Sequence, residues 1–567
     1  MIRKLAEGHR AGRRSIVAVL FCIALTAAAA AQKTQLVPPP CVPSAQDTPE
    51  TAPPDDSAQK PQNGQPTTHI TPDQAKQLFA CVDQIMKFSS DDSGLPVKSP
   101  VKRQMTTRDA VQSYLMKKLS DDKESKRMER DEIVLKKFGL LDRDFELQPF
   151  LIALLKEQIE AYYDTKTKTI NLLDWVQPDE QKPVMAHELT HALQDQHTDL
   201  DKWDNQTPDD VSTTMSGDQE HVARDEIDSA RDAVSEGQAT AVMMDYMLKP
   251  MGKSLVKDPE VLDFIRQHMD ASADSPVMAR APLLISESML FPYREGLSFE
   301  QDVWMDEGQN AAFAGALDRP PTSTWEILNP RDYERKVIPP VPLLPNIHPV
   351  VDKLYRPYDI GQVGQLDVQI MTKLFGSEES SRDLTSAWDG GIYWAGQSLS
   401  ATTAAEQDST KSLAIFYLSV WHNPASAQAF AQLYSKNLSR KYSSVAPDNT
   451  AQNSASNENG SSEEDFTTDE GPVVITSRGN VVFIAESFPL NVARQLTSLI
   501  LSAQGGGAMR TAQAAPPSWP FAPSADLRIP AEQPTEPLSA SFVRFFAGCG
   551  VMKTAVDAEM KGAAALH

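Results

Sequence analysis

Polar and apolar positions change their period several times along this 567-residue chain. From Thr71-Pro72-Asp73, an N-cap followed by proline at the first helical position, apolar residues recur every three or four places and predict a helix to about Phe88. The same spacing predicts helices near 107–120, 124–138 and 147–157. At residue 159 the pattern shifts. The apolar runs 159–163 and 169–173 flank a polar run, 164–168, and together read as a hairpin. Helical spacing returns at 181–197 and 219–248, then at 257–270, 281–290 and 298–315.

A second pattern begins after Tyr358. It reads as a helix (364–375), strands (391–397, 412–421), a helix (424–440), strands (472–477, 480–486) and a helix (490–502). Gly479-Asn480 between two β-branched runs is a hairpin turn. The expected fold class is α+β. A mainly helical domain with a small strand element spans 72–345, and a small α+β domain with a ββαββα-like order spans 346–502. The polar, acidic stretch 444–471 reads as a disordered insert in the second domain.

The ends have a different composition. Residues 1–31 carry a basic start, an apolar run and a string of alanines, the pattern of a signal peptide. Residues 32–71 read as a disordered Pro-rich linker and 503–567 as a low-complexity tail. The expected location is therefore outside the cytoplasm, periplasmic or extracellular, with no membrane span once the signal is removed. The formal net charge of −23 argues against nucleic acid and anionic lipid as partners. Cysteine is sparse, with four in all. A Cys41–Cys81 bridge is compatible with an oxidising compartment, but the cysteines form neither a disulfide scaffold nor a metal cluster.

The chemistry sits in His187-Glu188-Leu189-Thr190-His191. At about 100° per residue, two histidines four apart lie on one helix face and can present their rings to one ion. Glu188 is then placed to reach a metal-bound water rather than the metal. Met185, Ala186, Leu189, Ala192 and Leu193 centre on the opposite side, so the helix has an apolar back and its histidines are expected to face a cleft. With ten histidines in the chain, chance yields this pentad in roughly one such sequence per hundred, so coincidence is a poor account of it.

A catalytic zinc usually takes a third protein ligand. His197 stands where an extended histidine motif would put it, but Gln194 occupies the place of the glycine that would turn the chain back. Glu236 is the stronger candidate. It lies in a helical segment rich in small and apolar residues, where an unpaired carboxylate would be costly. Arg224 or Arg231 could pair with it instead. Gly237 would let a facing helix approach, and Asp232 and Thr240 could support the ligands from one turn away.

The pentad followed by a glutamate on a second helix resembles the gluzincin branch of zinc metallopeptidases. Further features, Glu236-Gly237, Phe291-Pro-Tyr293 and Pro320-Pro-Thr-Ser-Thr324, are similar to exported bacterial proteins described only as metallopeptidases. The resemblance implies a zincin-like fold and Zn2+ held by His187, His191 and Glu236. It also implies hydrolysis of peptide bonds by a zinc-bound water, with Glu188 as general base. The partner is then a peptide or protein substrate. An oxyanion donor could come from Tyr246, His221, Tyr293 or Arg294. The competing expectations are an exported zinc-binding protein without peptidase activity, acting in envelope assembly, and an interaction module.

Overall fold

The computed structural model describes residues 69–504, apart from 112, 114–121, 158–160, 204–205, 207–210, 260, 263–275 and 449–460. The expected signal peptide, nearly all of the linker and nearly all of the tail lie outside the described residues, as does most of the helix expected at 257–270. Helices of eight or more residues are labelled below in chain order.

The architecture is α+β. Helix α1 (Pro72–Ser93) begins as expected, with reciprocal Thr71 and Gln74 bonds and Pro72 in the first turn. It runs past Phe88 until Gly94, at φ 72°, ends it. Strand β1 (Lys102–Thr106), helices α2 (Asp122–Phe138) and α3 (Leu147–Glu157), and strands β2 (Tyr162–Asp164) and β3 (Thr169–Leu173) follow. The three strands form a sheet ordered β1-β3-β2, with β1 parallel and β2 antiparallel to β3. The β2–β3 hairpin is the expected one; β1, Lys-Arg-Gln-Met-Thr, is too polar to show a strand pattern.

Helix α4 (Pro178–Thr198) carries the histidine pentad and lies between α1 and α6 (Ile227–Leu248), with β2 and β3 also against it. Every residue from 181 to 195 is buried, so its histidines do not line an open cleft. The helix expected across 219–248 is instead two, α5 (Met215–Arg224) and α6. The break falls at Asp225-Glu226, whose carboxylates are used elsewhere. Asp225 accepts a bond from the Gln362 N–H at 2.7 Å, and Glu226 one from the Thr324 hydroxyl at 2.8 Å. The expected helices at 281–290 and 298–315 merge into α7 (Leu283–Glu307), which has Pro292 inside it, followed by a π-helical turn at Ala311–Gly315.

The C-terminal part holds β4 (Tyr355–Gln362), α8 (Gln365–Phe375), α9 (Glu378–Ser386), β5 (Trp388–Ser398), β6 (Leu413–Trp421), α10 (Pro424–Lys436), β7 (Val445–Pro447), β8 (Ser461–Thr468), β9 (Gly471–Arg478), β10 (Val481–Glu486) and α11 (Leu490–Ala503). Its seven strands form one antiparallel sheet ordered β4-β5-β6-β10-β9-β8-β7. The ββαββα-like expectation captures the four central strands and α8, α10 and α11. It omits β4, α9, β7 and β8. The disordered acidic insert expected at 444–471 needs correction, because β7 and β8 lie within it and β8 pairs with β9 along its whole length. Ser461-Ser-Glu-Glu-Asp-Phe-Thr-Thr468 reads as polar because it is near the sheet edge and only Thr468 is buried.

Both faces of this sheet are covered, and the period of two along each strand sorts its residues between them. Tyr393, Ala395, Ile415, Tyr417, Ile475 and Ile484 belong to the core shared with the helical part. Their neighbours Ile392, Trp394, Phe416, Val474 and Phe483 pack with Val492, Leu496 and Ile500 of α11. Helix α2 lies on the first face. Phe138 meets Tyr393 and Tyr417 edge-on at centroid distances of 5.4 and 6.2 Å. Lys137, fully buried, donates to Glu470 at 2.8 Å and to the Ser487 hydroxyl at 2.7 Å. Cys81 is disulfide-bonded; Cys41, the partner considered from sequence, lies outside the described residues. Among the described residues, no helix is long and apolar enough to cross a membrane.

Candidate metal centre

Two helices supply the site. On α4, the four-residue spacing brings His187 and His191 together, with their Nε2 atoms 3.1 Å apart. From α6, Glu236 Oε2 comes to 3.2 Å from His187 Nε2 and 3.4 Å from His191 Nε2. The three residues are 0–3% exposed and form a group that could hold a metal ion.

The approach of α6 is set by small residues. The backbone of α6 at Gly237 touches α7 at Gly296: a β-carbon on Gly237 would lie 2.3 Å from the Gly296 carbonyl oxygen. Glu236 is therefore held from behind as well as in front. Neither arginine considered as its partner takes that role. Arg224 pairs with Glu220, while Arg231 lies over the Trp203 ring and bonds the Trp203 carbonyl.

Burial and neighbours act in opposite directions on His187, Glu236 and Glu188. Burial pulls His187 below the ordinary imidazole range, more than its bond to Glu236 raises it. Burial alone would raise Glu236, but the two imidazoles beside it, His191 first, outweigh burial and hold the carboxyl well below the usual range. Glu188 goes the other way. Burial lifts it well above the ordinary carboxyl value, and the Tyr163 N–H, donating to Oε2 at 2.8 Å, only partly opposes that. The second oxygen of Glu188, Oε1, has no hydrogen-bond partner among the described residues. Two adjacent carboxyl groups are thus driven apart, Glu236 toward the anion and Glu188 toward the acid.

The hairpin strand β2 is fixed over α4 by more than Glu188. The Tyr163 hydroxyl donates to Asp195 Oδ2 at 2.8 Å, and Lys168 donates to the same oxygen at 2.6 Å. Behind His191 stands Gln194, whose Oε1 is 2.8 Å from His191 Nδ1. Gln194 Nε2 donates to the Ser235 carbonyl and to Gln238 Oε1, both at 2.9 Å. Gln194, Gln238 and Tyr163 were not singled out as supporting groups from sequence. Gln194 carried a signal, since three residues past a candidate histidine ligand is one helical turn. Gln238 carried none. Thr240, expected to support the ligands, has a hydroxyl with no hydrogen-bond partner among the described residues.

Of the other sequence candidates, Tyr293 comes near the trio. Its ring lies nearly parallel to that of His187, at a centroid distance of 6.4 Å. His197 pairs with Asp318 at 2.9 Å, outside the group. Arg294 is held by Glu287 and Glu295, His221 lies 3.6 Å from Asp225, and Tyr246 packs edge-on against Phe88. No protein-family model matches this chain, and neither a curated protein nor a solved structure is similar to it at a significant level.

Proposed function

We propose that the chain is an exported zinc-dependent hydrolase of peptide bonds, with His187, His191 and Glu236 as zinc ligands and Glu188 as general base. The spacing of the donor atoms carries this reading. Ligands at about 2.05 Å in tetrahedral array stand roughly 3.3 Å apart, and the three separations here are 3.1, 3.2 and 3.4 Å. Two neutral nitrogens and one carboxylate are a donor set suited to zinc with one position left open. When bound, the ion would polarise a substrate carbonyl and make water a stronger acid.

The protein's own groups supply the remaining steps. Glu188 takes the proton from water through the oxygen that has no other partner and returns it to the leaving amine. The Tyr163 N–H keeps the other oxygen, and so the carboxyl plane, in place. A carboxyl raised by burial above its ordinary range holds a proton more readily, which suits it to both halves of that task. The disulfide at Cys81 fits an oxidising compartment and so supports export.

Burial favours a second reading. With Glu188 and the three ligands at 0–3% exposure, a substrate reaches them only after the elements packed around them shift. A metal that only holds α4 to α6 would need no such motion. Metal analysis of the purified protein, combined with peptide-cleavage assays of wild type and Glu188→Gln, separates the two readings. Hydrolysis is supported by about one zinc in each protein and cleavage lost only in the variant. Zinc in both with no cleavage by either selects the structural site, and absence of zinc from wild type overturns both.

A further inference from the structure

Gln194 and Gln238 form a hydrogen-bonded chain behind the metal group that begins at His191 and ends on main-chain carbonyls. His191 Nδ1 lies 2.8 Å from Gln194 Oε1. Gln194 Nε2 bonds the Ser235 carbonyl and Gln238 Oε1, each at 2.9 Å. Gln238 Nε2 bonds the carbonyls of Ala312 and Phe313, at 2.8 and 3.0 Å, in the π-helical turn. Both glutamines and His191 are fully buried.

The direction of the chain follows from chemistry. A side-chain amide can be turned either way round without changing its shape, so its own outline does not say which end donates. A main-chain carbonyl settles the matter because it can only accept. The carbonyls of Ala312 and Phe313 therefore require the NH₂ of Gln238 to face them, leaving its oxygen toward Gln194. The Ser235 carbonyl imposes the same sense on Gln194. Its remaining oxygen faces His191 Nδ1, and an oxygen there requires a proton on that nitrogen. Every donor in the chain points away from the histidine.

We infer that Gln194 and Gln238 are positioning residues that hold His191 as its Nδ1–H tautomer, with the Nε2 lone pair directed at the metal position before any metal arrives. This rests on the metal-site reading above. It also gives the π-helical turn a task, since that turn presents two successive carbonyls to one amide. Such turns occur often at functional sites. Because both glutamines are neutral, the chain orients His191 without adding a second negative charge next to Glu236. An Asp or Glu in place of Gln194 would add one.

The test begins with wild type, so that it does not depend on a variant folding. In metal-free protein labelled with 15N at histidine, two-bond proton–nitrogen correlations report the tautomer of each ring, and a His191→Gln sample assigns the signal. The expected result is an Nδ1–H ring for His191; an Nε2–H ring overturns the inference. Zinc affinity, measured by competition with a chromophoric chelator, gives the second readout. Gln194→Leu should weaken zinc binding by about 10- to 100-fold, and Gln238→Leu by less. The double variant should bind no more weakly than Gln194→Leu alone, because Gln238 acts through Gln194. Additive losses, or unchanged affinity in Gln194→Leu with the fold intact by circular dichroism, overturn it. Wild type that binds no zinc overturns the metal-site reading, while the tautomer measurement still judges the chain.

Discussion

Gly237 of α6 lies against the backbone of Gly296 in α7: a side chain on Gly237 would strike Gly296, and one on Gly296 would strike the Ala233 carbonyl of α6. The contact lies one residue from Glu236, so helix packing and the placement of that carboxylate are the same geometric fact. Alanine at 237 would gain about 0.8–1 kcal/mol of helix propensity. Its β-carbon, however, would sit 2.3 Å from a carbonyl oxygen that belongs to a rigid helix. The clash should win. Gly237→Ala is expected to lower stability by about 1–3 kcal/mol and to weaken zinc binding, checked by denaturant unfolding and chelator competition. Unchanged zinc affinity would show that Glu236 is placed by something else.

Glu188→Gln keeps the shape of the side chain and removes its ability to accept a proton. Loss of one general base lowers rate by about 10²- to 10⁴-fold, here with zinc content unchanged. Steady-state kinetics on a fluorogenic peptide and metal analysis of the same sample check this together. A variant with wild-type kcat would remove Glu188 from the mechanism.

Removal of the metal should expose how much the site holds α4 to α6. A ligand present at 100 times its Kd adds about 2.7 kcal/mol to the folded state. Chelation should therefore lower the wild-type melting temperature but leave Glu236→Ala nearly unaffected, since that variant lacks one of three ligands. Thermal unfolding with and without chelator provides the comparison, and equal shifts in the two proteins would exclude Glu236 as a ligand.

A pH effect is expected at the far end of α1. Burial, and then the charge of Asp245, lift the Asp92 carboxyl to about 8 from an unfolded value of 3.8. The folded protein thus holds a proton there that the unfolded chain releases earlier. The stability this contributes is complete below about pH 3.8 and is lost as pH rises through about 8. Asp92→Asn cannot ionise. Its melting temperature should match wild type near pH 4 and exceed it at pH 9, and a variant less stable than wild type at pH 9 would contradict the shift.

The sequence announced those parts of the fold whose information is local. The His187–His191 spacing, the 169–173 strand and the Gly479-Asn480 turn each depend on a few adjacent residues. The break between α5 and α6 was not legible, because its cause is the bonding of Asp225 and Glu226 to Gln362 and Thr324, far along the chain. β8 was hidden for a related reason: a strand near a sheet edge needs few buried side chains, so its polar residues look like a loop. At the site, Glu236 stood out as a carboxylate in an apolar helix. Gln238 did not, because a buried glutamine is recognised only when its partners are known, and two of those are main-chain carbonyls.

The placement of α2 on the C-terminal sheet has a consequence for how the chain is made. Lys137 bonds Glu470, which follows it by 333 residues. At about 5–20 residues per second, synthesis leaves that lysine without this partner for roughly 17 to 67 seconds. Throughout that interval a helix with an apolar face and a soon-to-be-buried charge must be kept from settling elsewhere. The nascent chain is therefore a natural client for a holding chaperone until β9 and β10 emerge.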